Sequence, residues 1–350
     1  MKAVVVHEAG NVDVLRVHDV PRPTPGPHEV VIQIAACGVC TLDVATRKRT
    51  YRRGVELPLI PGHEISGRVV AVGTEAIEFL VDDHVATTQR FAICGRCRLC
   101  RNGYEALCAK RRFLGQQGFR GGYAEYVAVQ VDNVAKVPDE VRDEQAAIAA
   151  CAIGRSLNAV RDAGGVSIGE RVMVTGAGGG LGVHALQLAR AAGAWVVAQT
   201  TSPDKADLLA QLGAHEVLVS NRNEDFSDRV KELTGGDGVD VVIDNVGTPV
   251  FDAVRRSLAI NGRWMLVGQL SGDFVKFNPA QLFLKNQSVT SVHSTSKAQL
   301  EDALALMARG VVRPVISGTC QLDELPSVHR RMEAGAVTGR VVIRTCGALS

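Results

Sequence analysis

The 350-residue sequence has few aromatic side chains and almost no net charge. Phe, Trp and Tyr make up 4% of the residues, and the formal net charge at pH 7 is +2. Proteins that bind nucleic acid use basic surfaces for the phosphates and aromatic side chains for the bases. Because the 39 Lys and Arg residues are nearly balanced by 37 Asp and Glu residues and aromatic side chains are few, we expect no nucleic-acid partner.

A long hydrophobic run is also lacking, because no apolar stretch approaches the roughly 18 residues that a membrane span needs. Near the start of the chain, residues 3–6 are apolar and are followed by His7 and Glu8. This run is too short for a signal peptide and is typical of a strand. We expect a cytoplasmic protein that has no membrane partner.

The remaining composition is that of a globular protein. Apolar residues make up 46% and charged residues 22% of the chain, which excludes a disordered chain or a coiled coil. Single hydrophobic cores stop growing beyond roughly 250–300 residues. A chain of 350 residues therefore predicts two domains.

The first 140 residues read mainly as strands. The β-rich runs 29–36, 67–73 and 83–88 are separated by proline and glycine turn signals, including Pro61-Gly62. Strands at this spacing predict an antiparallel barrel or sandwich.

The pattern changes near residue 143, where a helical stretch over 143–163 begins. From there, predicted helices alternate with predicted strands at 171–176, 194–200, 216–219, 239–244, 262–267 and 288–292. Such alternation predicts a doubly wound parallel sheet. Two more helices, near 297–309 and 323–334, precede a last strand at 340–344.

Four of the nine cysteines, Cys94, Cys97, Cys100 and Cys108, lie in one short segment. Structural zinc takes four thiolates tetrahedrally, and short spacings allow one loop to surround the ion. One acid, Glu105, and seven cations lie in or near the segment: Arg90, Arg96, Arg98, Arg101, Lys110, Arg111 and Arg112. These cations favour deprotonated thiols. The segment predicts a structural zinc, with an iron–sulfur cluster or unpaired thiols beside a basic face as the alternatives.

A second metal constellation consists of residues that are far apart in sequence: Cys40, the pair His63-Glu64, and Cys151. His63 and Glu64 follow a Pro-Gly turn, where functional residues often collect. Asp43, three residues after Cys40, has the chemistry to orient a histidine ligand. The alternative is that these are ordinary core residues, and the spacing alone does not choose between the two.

A dinucleotide-binding turn follows the strand at 171–175. Glycines recur as Gly176-x-x-Gly179-x-x-Gly182 instead of in a strict G-x-G-x-x-G pattern. A strand before the turn and a helix after it predict a pyrophosphate site at the helix N-terminus. A merely flexible glycine loop is the alternative.

The next strand ends at Thr200-Thr201-Ser202, where an NAD site is expected to carry an acid for the ribose hydroxyl. The first acid, Asp204, lies at the start of the following helix. The hydroxyl groups and Lys205 suit a 2′-phosphate, so we expect NADP(H) in preference to NAD(H). The alternative is that Ser202 only caps the helix and that Lys205 is solvated.

The ordered combination of Cys40 with Asp43, Pro-Gly-His63-Glu64, the four-cysteine segment and the glycine-rich turn resembles the medium-chain, zinc-dependent alcohol dehydrogenase family. The second half is also similar to quinone and enoyl-thioester reductases of the same superfamily, acryloyl-CoA reductases among them. The resemblance implies a β-rich, GroES-like catalytic domain over residues 1–152 and 294–350. It also implies a Rossmann domain over 153–293, with the active site in the cleft between them.

The resemblance also implies roles for individual residues. Cys40, His63 and Cys151 would be the catalytic zinc ligands, with Glu64 a transient fourth, and the four-cysteine segment would hold a second zinc. Cys37, Cys320 and Cys346 match no ligand position. The cofactor would contact Gly176, Gly179, Gly180, Leu181, Gly182, Thr200, Thr201, Ser202, Lys205, Val246, Gly268 and Arg340, the last at the pyrophosphate unless it is an exposed arginine on an edge.

Leu42 departs from the family, which usually has Ser or Thr two residues after the first cysteine ligand to pass the alcohol proton. Leucine cannot donate or accept a proton, so Thr41 or water would have to carry it. We expect hydride transfer between a nicotinamide and an alcohol or carbonyl. NADPH-dependent reduction of an enoyl thioester is the alternative, and a non-enzymatic nucleotide sensor is disfavoured by the complete ligand sets. The family also implies a homodimer or homotetramer, with strand 288–292 the candidate for pairing across a two-fold axis.

Overall fold

The computed structural model describes residues 1–50 and 54–345, so Cys346 lies outside the described residues. The chain forms two compact units. The first contains Met1–Gly154, Ser294–Gly310 and the chain from Pro314 onward, and the second contains Arg155–His293 and Val311–Arg313. These boundaries differ by two residues from the predicted division after residue 152, and residues 311–313 join the second unit instead of the first.

The strands, numbered in chain order, have the following bounds: β1 Lys2–Val5, β2 Arg16–Asp19, β3 Glu29–Val39, β4 Glu64–Val72, β5 His84–Thr87, β6 Arg90–Ala92, β7 Arg112–Phe113, β8 Tyr126–Gln130, β9 Val134–Lys136, β10 Arg171–Thr175, β11 Trp195–Thr200, β12 Glu216–Val219, β13 Val239–Asp244, β14 Leu258–Leu266, β15 Ser288–Ser291, β16 Ile316–Cys320 and β17 Arg340–Arg344.

The α-helices have the following bounds: α1 Thr41–Lys48, α2 Arg98–Arg101, α3 Asp143–Ala147, α4 Arg155–Leu157, α5 Gly182–Ala191, α6 Ala206–Gln211, α7 Ser227–Leu233, α8 Phe251–Ser257, α9 Ala280–Phe283, α10 Lys297–Ala308 and α11 Leu325–Glu333. Within the described ranges, none of them is long and apolar enough to span a bilayer.

The first unit is built on a sheet with the strand order β16-β17-β3-β4-β5-β9, in which β8 also pairs with β3. All of these pairs are antiparallel except β16 with β17, which are parallel. Alternate side chains of the central strand β3, such as Val30, Ile32 and Ile34, are buried in the unit's core. The strand-rich first domain is as predicted, and the parallel pair at its edge was not foreseen.

The second unit contains a six-stranded parallel sheet with the order β12-β11-β10-β13-β14-β15. Counted within the unit, this is the order 3-2-1-4-5-6 of a Rossmann fold. The order in which strands are added to the sheet reverses between its first and fourth strands, while all strands stay parallel. Its core includes Met173, Val197, Val242 and the fully buried Trp264. The predicted doubly wound sheet is confirmed.

Two local predictions need correction. The predicted continuous helix over 143–163 contains two π-helical turns, Ala149–Gly154 and Asn158–Ala163, on either side of α4. The Thr295 hydroxyl donates to the Ala150 carbonyl at 2.6 Å, which gives that helix carbonyl a partner outside the helix. Helix α1, directly after Cys40, was not predicted, because only a few of its residues are apolar.

Candidate metal centres and cofactor site

The four-cysteine segment folds into a loop that brings its thiols together. The Sγ atoms of Cys97 and Cys100 are 3.5 Å apart, those of Cys94 and Cys108 are 3.5 Å apart, and those of Cys94 and Cys100 are 4.0 Å apart. A tetrahedron of Zn–S bonds of about 2.3 Å has S···S edges of about 3.8 Å. The spacing of the thiols therefore fits a tetrahedral zinc with four thiolates.

Protonation of these thiols is uneven because they share one small volume. Backbone N–H groups of Arg96 and Cys97 lower the pKa of Cys94 to about 6. Burial, together with hydrogen bonds from the other thiols, raises the pKa of Cys100 to about 12. Four thiolates at these distances repel one another unless a cation lies between them, and a divalent ion removes that repulsion.

The predicted basic surroundings of the segment are present, and one of the cations is buried. Arg90 is fully buried and donates to the Thr295 carbonyl at 2.8 Å and to the Ser294 hydroxyl at 3.1 Å. Burial lowers the pKa of Arg90 to about 10, while Glu105 acts in the opposite direction. Arg111 donates to the Cys108 carbonyl at 2.9 Å. We call Cys94–Cys108 with its four thiols the lobe.

The second set of ligands converges inside the first unit. Ligand atoms of Cys40, His63, Glu64 and Cys151 all lie within 4.8 Å of one another, and all four residues are buried. We call these four residues the buried centre. Cys40 is the N-cap of α1, where the helix dipole favours an anion. The side-chain hydrogen bond with Cys151 lowers the pKa of Cys40 well below its usual value.

Asp43 fixes the orientation of the His63 ring. The distance between Asp43 Oδ1 and His63 Nδ1 is 3.0 Å, and a carboxylate only accepts, so Nδ1 carries the proton. The other nitrogen, Nε2, is buried and has no hydrogen-bond partner among the described residues. A buried imidazole nitrogen that converges with two thiols, on a ring whose other nitrogen is bonded to a carboxylate, has the arrangement of a metal ligand. The residues of the buried centre therefore fit a zinc ion.

Arg340 lies at the buried centre. Its Nε donates to both Glu64 carboxylate oxygens at 3.0 and 3.1 Å, and its Nη2 is 3.5 Å from Cys40 Sγ and 3.8 Å from Cys151 Sγ. Burial raises the pKa of Glu64, and the guanidinium opposes that shift. Arg340 is only 3% exposed, so the reading of an exposed edge arginine is wrong. Its contact with a pyrophosphate stays a prediction.

Cys151 reaches the buried centre from the first π-helical turn, Ala149–Gly154. Single π-helical turns are rare and occur frequently at functional sites. No feature of the sequence predicts this turn, because its alanine-rich composition suits an α-helix equally well.

Thr41 and Leu42 occupy the first turn of α1, directly after Cys40. Successive side chains of a helix point about 100° apart. Thr41 is exposed and Leu42 is half-buried, whereas the ligands are buried. The side chain of Thr41 thus differs from the ligands in being exposed, and its part in proton transfer stays a prediction.

The glycine-rich turn connects β10 to α5 in the second unit, at the carboxyl end of the sheet's first strand. A Cβ on Gly182 would lie 2.4 Å from the Gly176 carbonyl oxygen, so only glycine allows the helix to start this close to the strand. The N–H groups of Val183, His184 and Ala185 donate to the carbonyls of Gly179 and Leu181, so within the described chain the N–H groups of residues 180–182 are the ones that face the turn without such a bond. This arrangement is suited to a pyrophosphate, and binding of the cofactor there stays a prediction.

The residues predicted to choose between the two nicotinamide cofactors lie beside this turn. A Cβ on Gly178 would lie 2.5 Å from Cδ of Lys205, so the lysine stem covers the turn. Burial lowers the pKa of Lys205. Thr200 is buried and its hydroxyl accepts from the Ser202 backbone N–H at 3.2 Å, while Thr201 is exposed.

Val246 and Gly268 lie at the carboxyl ends of β13 and β14. A Cβ on Gly176 would lie 3.0 Å from the Val246 side chain, and one on Gly268 would lie 2.4 Å from the Asn245 carbonyl oxygen. The predicted cofactor residues of this unit therefore come together along one edge of the sheet. Arg340 is the exception, because it belongs to the first unit.

Sequence reasoning missed Asp244, which ends β13 and holds this edge together. Its buried carboxylate accepts from the Thr175 hydroxyl at 2.6 Å, the Trp264 indole at 3.1 Å and the Gly247 backbone N–H at 3.1 Å. The available signal was an acid at the carboxyl end of a largely apolar strand. Burial raises its pKa, against the effect of these donors.

Models of two protein families match the chain. The alcohol dehydrogenase GroES-like domain matches residues 26–139, and the zinc-binding dehydrogenase domain matches residues 180–309. The two matches fall largely on the two units described above.

Whole-length relatives agree with these matches. An acryloyl-coenzyme A reductase of Sulfurisphaera tokodaii is 34% identical over 345 residues, covering 98% of this chain and 100% of the relative. An alcohol dehydrogenase of Geobacillus stearothermophilus is 34% identical over 347 residues, covering 98% and 99%. The crystal structure of AibC superimposes with a TM-score of 0.92 at 38% identity, covering 99% of this chain and 96% of that one.

Proposed function

The chain belongs to the family of zinc-binding, medium-chain dehydrogenases and reductases, and on that premise we propose that it transfers hydride between NADP(H) and an alcohol or carbonyl substrate. The observation that carries the proposal is the buried centre, where the bare Nε2 of His63 and two thiols converge. When bound, zinc supplies a Lewis acid for the substrate oxygen, and the nicotinamide supplies or accepts hydride.

The residues of the buried centre divide the work of holding the ion. Cys40, His63 and Cys151 are the proposed permanent ligands. Glu64 is held by both of its oxygens on Arg340, so its carboxylate is kept beside the ligands without being committed to them. This leaves a fourth position for substrate or water, which is the arrangement of a catalytic zinc. The four thiols of the lobe are the closed, structural site, and we propose two zinc ions per chain.

Enoyl-thioester reduction is the second candidate, and Leu42 is the observation that favours it. In that reaction hydride goes to the β-carbon, so no hydroxyl is needed at position 42 to pass an alcohol proton. The similarity to an acryloyl-coenzyme A reductase supports this candidate.

A screen of NADPH consumption separates the two candidates. Purified enzyme is offered aldehydes, ketones and enoyl-CoAs at equal concentration, with Cys151→Ala as the inactive control. Faster turnover of a carbonyl than of any enoyl-CoA supports the main proposal, and the opposite order replaces it with the second. In the first case, Leu42→Ser should raise alcohol oxidation or leave it unchanged. A large loss would mean that the leucine packs against the substrate.

The preference for NADP(H) is proposed from the edge near β11. No carboxylate stands at Thr200 to repel a 2′-phosphate, and the stem of Lys205 lies over the glycine turn with the ammonium at its end. A hydrogen bond to a charged group contributes roughly 1.5–3 kcal/mol, which is about tenfold to a hundredfold in preference. Because Lys205 is half-buried and keeps some solvent contact, we take the lower figure.

The test compares kcat/KM for NADPH and NADH with one substrate. Lys205→Ala and Thr200→Asp should both erode the preference for NADPH, and Thr200→Asp should do so more strongly because it adds a repelling charge. A wild-type enzyme that prefers NADH tenfold would contradict this assignment.

We also propose a homo-oligomer whose subunits meet at the edge strand β15. All four residues of β15 are exposed, and the nearby Phe274, Phe283 and Leu284 are exposed apolar side chains. An uncovered strand edge with exposed apolar neighbours is a site for pairing with a second copy. Sedimentation of the purified protein at micromolar concentration should give a dimer or tetramer, and a monomer would refute this.

A further inference from the structure

A chain of buried hydrogen bonds runs from the His63 ligand through the first unit to the surface. It begins at Asp43, whose Oδ2 is 3.1 Å from the hydroxyl of Tyr123. That hydroxyl is 3.1 Å from Nε2 of His329, and Nδ1 of His329 is 3.5 Å from Nη1 of Arg47. Asp43, Tyr123, His329 and Arg47 are all buried.

The donor and the acceptor of each hydrogen bond in this series follow from the chemistry of the side chains. A guanidinium can only donate, so Nδ1 of His329 must accept and its proton lies on Nε2. That N–H donates to the Tyr123 oxygen, which leaves the Tyr123 O–H to donate to the carboxylate of Asp43. The other oxygen of Asp43 accepts from His63 Nδ1, which leaves Nε2 as the ring nitrogen that would bind zinc.

The far end of the chain is anchored on α11. Nη2 of Arg47 is ion-paired with Glu333, to which Lys48 Nζ also approaches at 3.2 Å. His329 and Glu333 are four residues apart on α11 and so share a face of that helix. Arg47 in the last turn of α1 is thereby tied to α11, while Cys40 and Asp43 lie at the start of α1.

The ring of Tyr123 lies so close to the turn before His63 that only glycine fits at position 62. Gly62, the residue before His63, has a φ of 94°, and a Cβ there would lie 2.6 Å from Cδ1 of the Tyr123 ring. The Gly62 backbone N–H also points to Asp43 Oδ1, at 3.3 Å. The ring of Tyr123 therefore packs directly against the segment that carries His63.

We propose that Tyr123 and His329 are positioning residues for the buried centre, which act through Asp43 to hold His63 in the orientation and tautomer that bind zinc. Neither residue touches a ligand atom. The inference rests on the proposed binding of zinc at His63, and it adds two residues that no motif in the sequence marked.

The charge state of His329 is consistent with this role. Burial lowers the pKa of His329 to about 4, and Arg47 acts in the same direction. The imidazole therefore stays neutral at neutral pH, as a ring that accepts at one nitrogen and donates at the other must be.

The variants separate positioning from general packing. Tyr123→Phe removes only the hydroxyl, and His329→Phe removes both ring nitrogens. His329→Gln keeps one acceptor and one donor and is the conservative rescue. Tyr126→Phe is the matched control for loss of a hydroxyl, because Tyr126 lies three residues further on with its ring under the Arg22 guanidinium at 4.0 Å and outside the chain of bonds.

The measurement is zinc release from the folded holoenzyme to a chromophoric chelator, without turnover. Loss of a group that orients a ligand typically lowers metal affinity 10–100-fold. Tyr123 and His329 act one and two bonds further away, so we expect release from the buried centre to accelerate about threefold to tenfold in Tyr123→Phe and His329→Phe. His329→Gln and Tyr126→Phe should stay near wild type, and lobe zinc should be released at the wild-type rate throughout.

Unchanged release from the buried centre in both phenylalanine variants would overturn the proposal. Equal acceleration at the buried centre and the lobe would also overturn it, because it would show general destabilisation. If wild-type protein releases only lobe zinc, the proposed zinc at His63 fails and the positioning role falls with it. Two zinc ions with unchanged release would reject the positioning role alone.

Discussion

The lobe and the buried centre both gather thiols in the first unit, but they are assembled from different distances along the chain. The ligands of the lobe lie within one loop, Cys94–Cys108, and three of its four cysteines are partly exposed. The ligands of the buried centre come from the N-cap of α1, the start of β4 and a π-helical turn, and all of them are buried.

This difference determines what each site depends on. Closing a short loop costs little chain entropy, so the lobe needs few contacts beyond its own backbone. The buried centre exists only when three separate elements are already in place. The negative charge of the buried centre is balanced by the buried Arg340. Around the lobe, several of the cations that balance the thiolates are exposed.

The largest expected effect comes from removing one ligand of the buried centre. Cys151→Ala should lower kcat by more than the ~100-fold that loss of an outer-shell partner costs, because the ion itself loses a thiolate. Metal analysis should show one zinc per chain, retained in the lobe. Retention of two zinc ions, or of substantial activity, would break the assignment of this site as catalytic.

Removing one ligand of the lobe should lower the stability of the protein and leave its catalytic activity nearly unchanged. Cys97→Ser should release the lobe zinc and lower the free energy of unfolding by a few kcal/mol, because a structural zinc contributes folding energy directly. At about 2–4 °C per kcal/mol, Tm should fall by about 5–10 °C. Zinc at the buried centre should remain, and kcat should stay close to wild type at temperatures well below the new Tm. Loss of both zinc ions would show that the two sites are not independent.

Substitution of Arg340 measures how much more a buried cation contributes to the free energy of unfolding than an exposed one does. Arg340→Ala leaves the buried Glu64 without its cation and should cost about 3–5 kcal/mol in the free energy of unfolding. The matched control is Arg101→Ala, an exposed cation in the lobe, which should cost less than about 1 kcal/mol. Urea unfolding of both variants decides the point. Equal losses would mean that burial of Arg340 has no energetic consequence.

The smallest expected effect is a pH dependence of the free energy of unfolding, which comes from His329 near the buried centre. His329 has its pKa lowered to about 4 by burial and faces Arg47, Glu333, Tyr123 and Asp43, whereas an unfolded histidine has a pKa near 6.5. The unfolded state therefore takes up the proton first. The contribution is complete above pH 6.5 and is lost as the pH falls from 6.5 toward 4.

At pH 5.5 this loss is about 1.4 kcal/mol relative to pH 7.5. Urea unfolding at both pH values, in wild type and in His329→Gln, measures it. The variant should show a smaller fall by about that amount, and identical falls would contradict the lowered pKa.

The lobe and the parallel sheet could be predicted from sequence because their signals are local. The short spacings between Cys94 and Cys108 keep all four thiols within one loop. The alternation of apolar strands with helices predicts the parallel sheet of the second unit. For the buried centre, the residues alone left a metal site and ordinary core residues as alternatives, and only the family resemblance chose between them, since Cys40 and Cys151 are brought together by the fold. Nothing in the sequence marked the partners of Arg340, the π-helical turn or the link from Tyr123 to His329, because each depends on contacts between distant segments.

We propose that this chain binds two zinc ions of different kinds, and anomalous diffraction from crystals at the zinc absorption edge would locate both. Two peaks per chain are expected, one surrounded by the four thiols of the lobe and one contacted by Cys40, Cys151 and Nε2 of His63. A single peak in the lobe, or a second peak away from His63 Nε2, would contradict it.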